Sequence, residues 1–513
     1  MTVPTPAGGA PPPIEIPPGN GAIADRLSGT HVPVDDHLLA RLSAECALVD
    51  VATDSLKDAG RDWWPISLRW ALEGMVPSHP AAVARPSSVG EVSAVLRTCN
   101  DAGVPVTATG GRSGVCGAAV PVFGGVSLDC RGLTGILGVD EESLLVDVAS
   151  GTFGPALEAE LSVGHGLTIG HWPQSMEIAT VGGWLACRGA GQYSTRYGKI
   201  EEIVAGLEVV LADGTVVRTG AMAASGAGPR AAMGPDLTQV FVGSEGTLGV
   251  ITSARLKAHP VAEFESRLAF GFDRFEEGLD CLRRTLRRGA TPAVVRLYDA
   301  TESRRSFGHE EGCVLVALDE GDEAVVTAAM GVLGEECSGA SRLDGGLVER
   351  WLDHRNDVSA LESVTRAGIV VDTIEVAAPW RELGPLYADA LGLVGEVDGL
   401  LAASAHESHA YLDGACLYFT FAGRGKDPGD GAWAERFYRD CWSAVLRATS
   451  AHGGSISHHH GIGLVRSPYI RDALGNGFRV LQAVKDALDP KGIMNPGKLG
   501  LSGPFGASPW PGP

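Results

Sequence analysis

The apolar and polar positions of this chain fall into two rhythms. Helical spacing runs from 89 to about 102 behind the capping pair Ser87-Ser88, and appears again over 37–49 and 275–288. Strand-like runs cover 104–108, 125–129, 144–148 and 206–211, and the last enters Ala212-Asp213-Gly214-Thr215, a hairpin signal. Farther on, 293–299, 313–318, 369–376 and 414–421 also read as strands. Short helices and strands interleaved in this way predict a chain of mixed helix and strand in two units with a break near 260. Trp63-Trp64-Pro65 and the residues to Trp70 read as a docking segment ahead of the first unit.

Composition fits that picture. At 513 residues the chain exceeds what one core usually organises, and 44% hydrophobic with 20% charged residues marks an ordinary globular protein. Its 70 glycines are roughly twice the usual share and predict many tight turns and close backbone approaches. A net charge of −21 argues against nucleic acid and anionic membrane surfaces as partners. No apolar run reaches the roughly 18 residues of a membrane span. The ten cysteines form no CxxC pair, so reduced thiols and a cytoplasmic location are expected; Cys116, Cys187 and Cys416 read as small buried residues. Residues 1–30, rich in Pro and Gly, predict a disordered tail without a secretory signal; 31–78 read as an N-terminal helical segment and 501–513 as a second tail.

Three glycine-rich stretches in the first unit lie beside strands. They are Thr109-Gly110-Gly111-Arg112-Ser113-Gly114, the run from Pro173 through Thr180-Val181-Gly182-Gly183 to Arg188-Gly189, and Gly243-Ser244-Glu245-Gly246 on to Ile251. Backbone N–H groups in such loops can cradle an anion, although each loop alone could equally serve a tight turn. None is a phosphate loop ending in Gly-Lys-Ser/Thr or a GxGxxG opening a helix.

In order and spacing, 107–117, 173–191 and 243–252 resemble the FAD-binding loops of vanillyl-alcohol-oxidase-like, PCMH-type flavoproteins. The resemblance implies two α+β subdomains around FAD at 79–260, an α+β cap with an antiparallel sheet at 261–450, and a segment at 451–500 that returns to the flavin. It implies that Thr109, Gly110, Gly111 and Ser113 surround the pyrophosphate, with Arg112 and Gly114 beside them. Gln174, Ser175, Thr180, Gly182, Gly183, Arg188 and Gly189 would line the cofactor, with Glu245, Gly246 and Ile251 toward its adenine half. Some members attach FAD through a His in the first loop; none lies between Thr107 and Val120, so non-covalent FAD is expected.

The second unit carries the chemistry. In Gly453-Gly454-Ser455-Ile456-Ser457-His458-His459-His460-Gly461, an extended backbone would put His458 and His460 on one side and His459 on the other. One ion could then take two of them at most, and no metal is expected. Together with Ala415-Cys416-x-Tyr418-Phe419, Val295–Asp299 and Asp372–Trp380, this triplet resembles the alkylglycerone-phosphate synthases over roughly 82–499. That family exchanges the acyl group of acyl-dihydroxyacetone phosphate for a fatty alcohol in ether-lipid synthesis, through a bond between flavin N5 and the substrate.

Carried over by position, Tyr418 would be the acid/base and His458, His459 and His460 would assist proton movement and phosphate or flavin contacts. Arg296 would orient flavin or substrate, and Arg366 would bind phosphate, with Arg355 as the alternative. The bland readings are a strand aromatic packed on the cap sheet for Tyr418 and a surface ion pair for Arg296. His406, His409, Thr420 and Leu464 depart from the synthase pattern.

The tail at 489–499 also resembles FAD-linked dehydrogenases of 2-hydroxy acids such as D-lactate or glycolate, whose metal ligands include a Glu where His459 stands. The expected substrate is therefore a small molecule or a lipid-like one, and a homodimer remains open.

Overall fold

The computed structural model describes residues 12–16, 22–27, 29–223, 231–358 and 360–511. Its first unit holds two sheets. In one, Leu48–Asp50, Ala82–Arg85, Val126–Asp129 and Val106–Thr109 lie side by side in that order, parallel except for the first pair. Helix Val89–Ala102 covers it, opened by Ser88, whose Oγ accepts the Glu91 N–H at 3.3 Å, and closed by Gly103 at φ 67°. Its buried positions Val92, Val95, Leu96 and Cys99 meet Val106, Val126 and Leu128 of the sheet. The C-terminal stretch pairs beside this sheet, with Val106 N–H donating to Ile493 O and Asn495 N–H to Val106 O, both at 2.8 Å.

The second sheet is antiparallel, in the order Val216–Arg218, Val204–Val210, Val250–Lys257, Leu145–Ala149 and Ile136–Asp140. Helices Gly154–His165 and Val181–Cys187 bury Leu157, Leu161, Trp184 and Leu185 against it.

The cap is one antiparallel sheet of seven strands, ordered Ser341–Leu343, Phe264–Phe272, Cys313–Gly321, Val294–Tyr298, Leu400–Ala410, Gly414–Arg424 and Ile369–Pro379. The period of two along Gly414–Arg424 sorts its side chains. Leu417, Phe419 and Phe421 pack with Leu282, Leu386 and Phe437 of the covering helices, while Tyr418 and Thr420 face a cavity. On the neighbouring strand a bulge between Glu407 and His409 breaks the alternation, so both His406 and His409 reach the cavity side.

Three expectations are corrected. The helix expected over 37–49 ends at Glu45, because 48–50 gain more as an edge strand on Ala82–Arg85. The N-terminal tail lies partly outside the described residues, yet its described part is docked. Ile14 is buried against Leu68 and Ala71, Arg61 donates to Ile14 O, and Ala24–Asp25 pairs with Met75–Val76. The stretch after Leu499 is likewise held: Trp510 is 6% exposed and sits 4.8 Å from the Trp64 ring, beside Trp70 and Tyr438. Trp510→Ala is expected to lower unfolding free energy by about 3 kcal/mol, the cost of emptying an aromatic core site. Chemical denaturation checks this; an unchanged midpoint would mean that the tail is free in solution.

Candidate active site

The glycine loops of the first unit and the cavity face of the cap sheet enclose a space of about 790 Å³. Two glycines in the first loop are demanded by close approach. A Cβ on Gly111 would lie 1.8 Å from Ile178 O, and one on Gly110 would lie 2.2 Å from Thr180 Oγ1, so the first and second loops pack backbone against backbone. Thr180 caps helix Val181–Cys187, accepting the Gly183 N–H, and thereby fixes Gly182 and Gly183 on the wall. Arg112 and Glu245 hold left-handed backbones at φ 55° and 50° in the loops that line the space.

Thr109, Gly110, Gly111, Arg112, Ser113, Gly114, Gln174, Ser175, Thr180, Gly182, Gly183, Gly189, Glu245, Gly246 and Ile251 all border this cavity, as do Arg296, Tyr418, His459 and His460. Four sequence-derived positions do not. Arg188 is the left-handed C-cap of its helix and pairs with Glu201 at 3.2 Å. Arg366 lies on the exposed side of helix Ala360–Arg366, bonded to Glu362 one turn back at 2.8 Å. Its alternative, Arg355, stacks over Tyr193 and Trp351 at 5.5 Å from each. His458 lies behind the wall, with its Nε2 3.1 Å from the Tyr411 hydroxyl.

Glu245 borders the cavity, but its carboxylate serves another purpose. It accepts the N–H of Ile462 at 2.5 Å and of Gly463 at 2.9 Å, which ties it to the loop after the histidines.

The histidine segment is a bend, because a buried carboxylate gathers it. Glu375, fully buried on strand Ile369–Pro379, accepts the backbone N–H of His458, His459 and His460 in succession, plus the Ser457 hydroxyl. Arg466, also fully buried, donates to the Glu375 side chain at 3.0 Å and to its carbonyl at 2.9 Å. Burial alone would raise the Glu375 pKa, but the Arg466 guanidinium and the bond from the His458 backbone N–H hold it below the ordinary carboxylate range.

The expected extended alternation therefore fails. His458 and His459 turn toward each other with their Nδ1 atoms 2.9 Å apart, and His460 swings to Tyr418. Ligand atoms of Glu375, Cys416, His458 and His459 lie within 4.8 Å of one another, a grouping the linear argument did not foresee. The Glu375 oxygens in that group are already engaged by Arg466, Ser457 and three N–H donors.

At the centre of the site, the Tyr418 hydroxyl lies 3.2 Å from His460 Nε2 and accepts a bond from Thr373 Oγ1 at 3.3 Å. His406 stacks on the Tyr418 ring at 5.0 Å. The imidazoles are neutral: burial pushes His460 down to about 4 and His458 to about 3, and lowers His406, His409 and His459 as well. Burial raises the Tyr418 phenol above its usual value, so it keeps its proton. Arg296 is the cation of this region, 9% exposed, with Nη2 3.4 Å from His406 Nε2 and Trp351 at 5.4 Å. A surface ion pair is thereby ruled out for it.

Glu375 and Arg466 were missed from sequence. Each had a signal: a carboxylate inside the apolar run 374–378, and a lone cation directly after Leu464-Val465.

Comparison with known proteins places these loops in context. Residues 80–220 match the FAD binding domain model, and 262–499 match that of the C-terminal domain of FAD linked oxidases. The uncharacterized FAD-linked oxidoreductase YgcU of Escherichia coli (strain K12) is 32% identical over 442 residues, 82% of this chain and 89% of that protein. The alkyldihydroxyacetonephosphate synthase of Dictyostelium discoideum is 29% identical over 467 residues, 83% of this chain and 74% of its own length. A solved alkyldihydroxyacetonephosphate synthase superposes with a TM-score of 0.72 at 24% identity, covering 93% of this chain and 89% of that one. The fold is thus the PCMH-type α+β fold.

FAD is the cofactor that the matched models name, and the cavity wall fits it. Ser150 Oγ, both His171 nitrogens, Trp184 Nε1 and Gln192 Oε1 are buried on that wall without a protein partner, as a polar ligand requires. Burial holds His171 at about 3, so its ring is neutral.

Two outcomes follow from this geometry. Acid or heat precipitation of the yellow protein should release all FAD into the supernatant, whereas flavin staying with the chain would mean a covalent link. Glu375→Gln should cost about 3–5 kcal/mol in equilibrium unfolding, because it leaves Arg466 buried without its counter-charge; an unchanged midpoint would remove Glu375 as the anchor.

Proposed function

The chain belongs to the FAD-linked oxidoreductase family, and on that premise we propose that its reaction is the acyl-to-alkyl exchange of the alkylglycerone-phosphate synthases. The observation that carries this reading is the Tyr418–His460 contact of 3.2 Å on the cavity wall. FAD, when bound, supplies the electron-accepting ring. Tyr418 hands the proton that leaves the substrate carbon to His460 and returns it later, which requires a neutral imidazole able to accept. The Glu375 carboxylate lies 3.8 Å from His460 Nδ1 and favours a proton there, leaving Nε2 free to accept from Tyr418.

Arg296 binds the anionic end of the substrate. Its Nε is buried without a protein partner, its guanidinium borders the cavity, and Arg366 is too remote to share the task. An apolar part of the wall suits an alkyl chain: Trp63, Pro65, Leu361, Val364 and Val371 line the cavity. An acyl ester of dihydroxyacetone phosphate and a long-chain alcohol match a wall that offers both an arginine and an apolar stretch.

Oxidation of a 2-hydroxy acid or another alcohol is the second reading, favoured by the 32% identity to an FAD-linked oxidoreductase. Anaerobic mixing separates the two. Palmitoyl-dihydroxyacetone phosphate with hexadecanol should yield fatty acid and an ether product without net flavin reduction, and Tyr418→Phe should slow this by about 10²–10⁴-fold. Bleaching of the flavin by D-2-hydroxy acids, with no exchange product, would overturn the synthase reading in favour of the oxidase.

A further inference from the structure

Away from the flavin cavity, three side chains from separate stretches converge on one point. Asp25 is fixed by strand pairing of Ala24–Asp25 with Met75–Val76. His31 is fixed by its neighbour Val32, whose N–H donates to Phe123 O at 2.9 Å. His79 follows Ser78, whose hydroxyl donates to Pro121 O at 3.0 Å. None of the three borders the flavin cavity.

His79 Nδ1 lies 2.8 Å from Asp25 Oδ1 and 2.9 Å from Oδ2, and His31 Nε2 lies 3.4 Å from Oδ2. The two rings stand edge to face with centroids 5.0 Å apart, so both direct a nitrogen at the same carboxylate. All three ligand atoms fall within 4.8 Å of one another. A tetrahedral zinc site with metal–nitrogen bonds of about 2.0–2.1 Å spaces its ligand atoms by about 3.3 Å, close to the His31–Asp25 separation and about half an ångström wider than that of His79.

The geometry points to a divalent-cation site of Asp25, His31 and His79 that takes a zinc-type ion and leaves one position to water. Two imidazoles and one carboxylate form a donor set that suits zinc, cobalt or nickel rather than magnesium or calcium. The Asp25, His31 and His79 side chains retain 19%, 28% and 25% of their exposure, which leaves a path for the ion and room for the water. The Ser78 hydroxyl, which donates to Pro121 O and lies 3.0 Å from His31 Nε2, is placed to accept a hydrogen bond from that water. An ion here would staple the N-terminal stretch to the turn that leads into strand Ala82–Arg85, and would stabilise the folded chain by mass action.

The test uses the full-length flavoprotein, stripped with chelator, dialysed against zinc and assayed by elemental analysis and thermal melting. His79→Asn and His31→Gln keep a hydrogen-bonding nitrogen near the original position but ligate poorly, so the N-terminal stretch can stay docked. The expected result is one zinc per chain, a melting temperature raised by zinc, and binding weakened ~10-fold or more in both variants, at least the loss that removing an outer-shell partner brings. Cys416→Ser, in the other histidine group, should bind zinc like the parent. No retained zinc, equal binding by His79→Asn and His31→Gln, or loss of zinc in Cys416→Ser alone would each overturn the site.

Discussion

The site depends on one buried carboxylate. Glu375 receives the N–H groups of His458, His459 and His460, the Ser457 hydroxyl and the Arg466 guanidinium, all inside the protein. A carboxylate taken from water to so dry a place is tolerated only when its lone pairs are filled and its charge is balanced. Here filling them dictates the path of the chain. Three consecutive N–H groups can converge on one acceptor only if the backbone curls around it, and that curl points successive imidazoles in different directions.

A second buried carboxylate extends the same logic a few residues on. Glu245, from the third glycine loop, accepts the N–H groups of Ile462 and Gly463. The histidine segment is thus clamped between the cap, through Glu375, and the flavin-binding unit, through Glu245. Arg466 closes the arrangement by bonding Gly461 O and Cys116 Sγ while lying 4.8 Å over Trp442. The distance between Tyr418 on the cap and the glycine loops therefore rests on polar bonds between main chain and buried charges, and side-chain packing fills in around them.

Charge on the cavity wall is mixed. Burial discharges the imidazoles around Tyr418, while Arg296, Arg305 and Glu302 stand among the charged groups on the cap side.

Local signals were enough to place the strands at 104–108, 125–129 and 414–421 and to single out the three glycine loops, which line the cavity, because period, caps and glycine placement are properties of neighbouring residues. The α+β class and the motif around Tyr418 and the histidines were legible through resemblance to known families. What the line of residues could not supply was direction. Reading 458–460 as extended gave the wrong faces, since the acceptor that bends it sits some 80 positions earlier in sequence. A bulge re-aims His409, a C-cap carries Arg188 off to Glu201, and a helix turns Arg366 outward. Sequence alone set which groups were available to the cavity; only the tertiary structure decided which of them face it, because that choice is made by hydrogen-bond partners that the chain brings together from far apart.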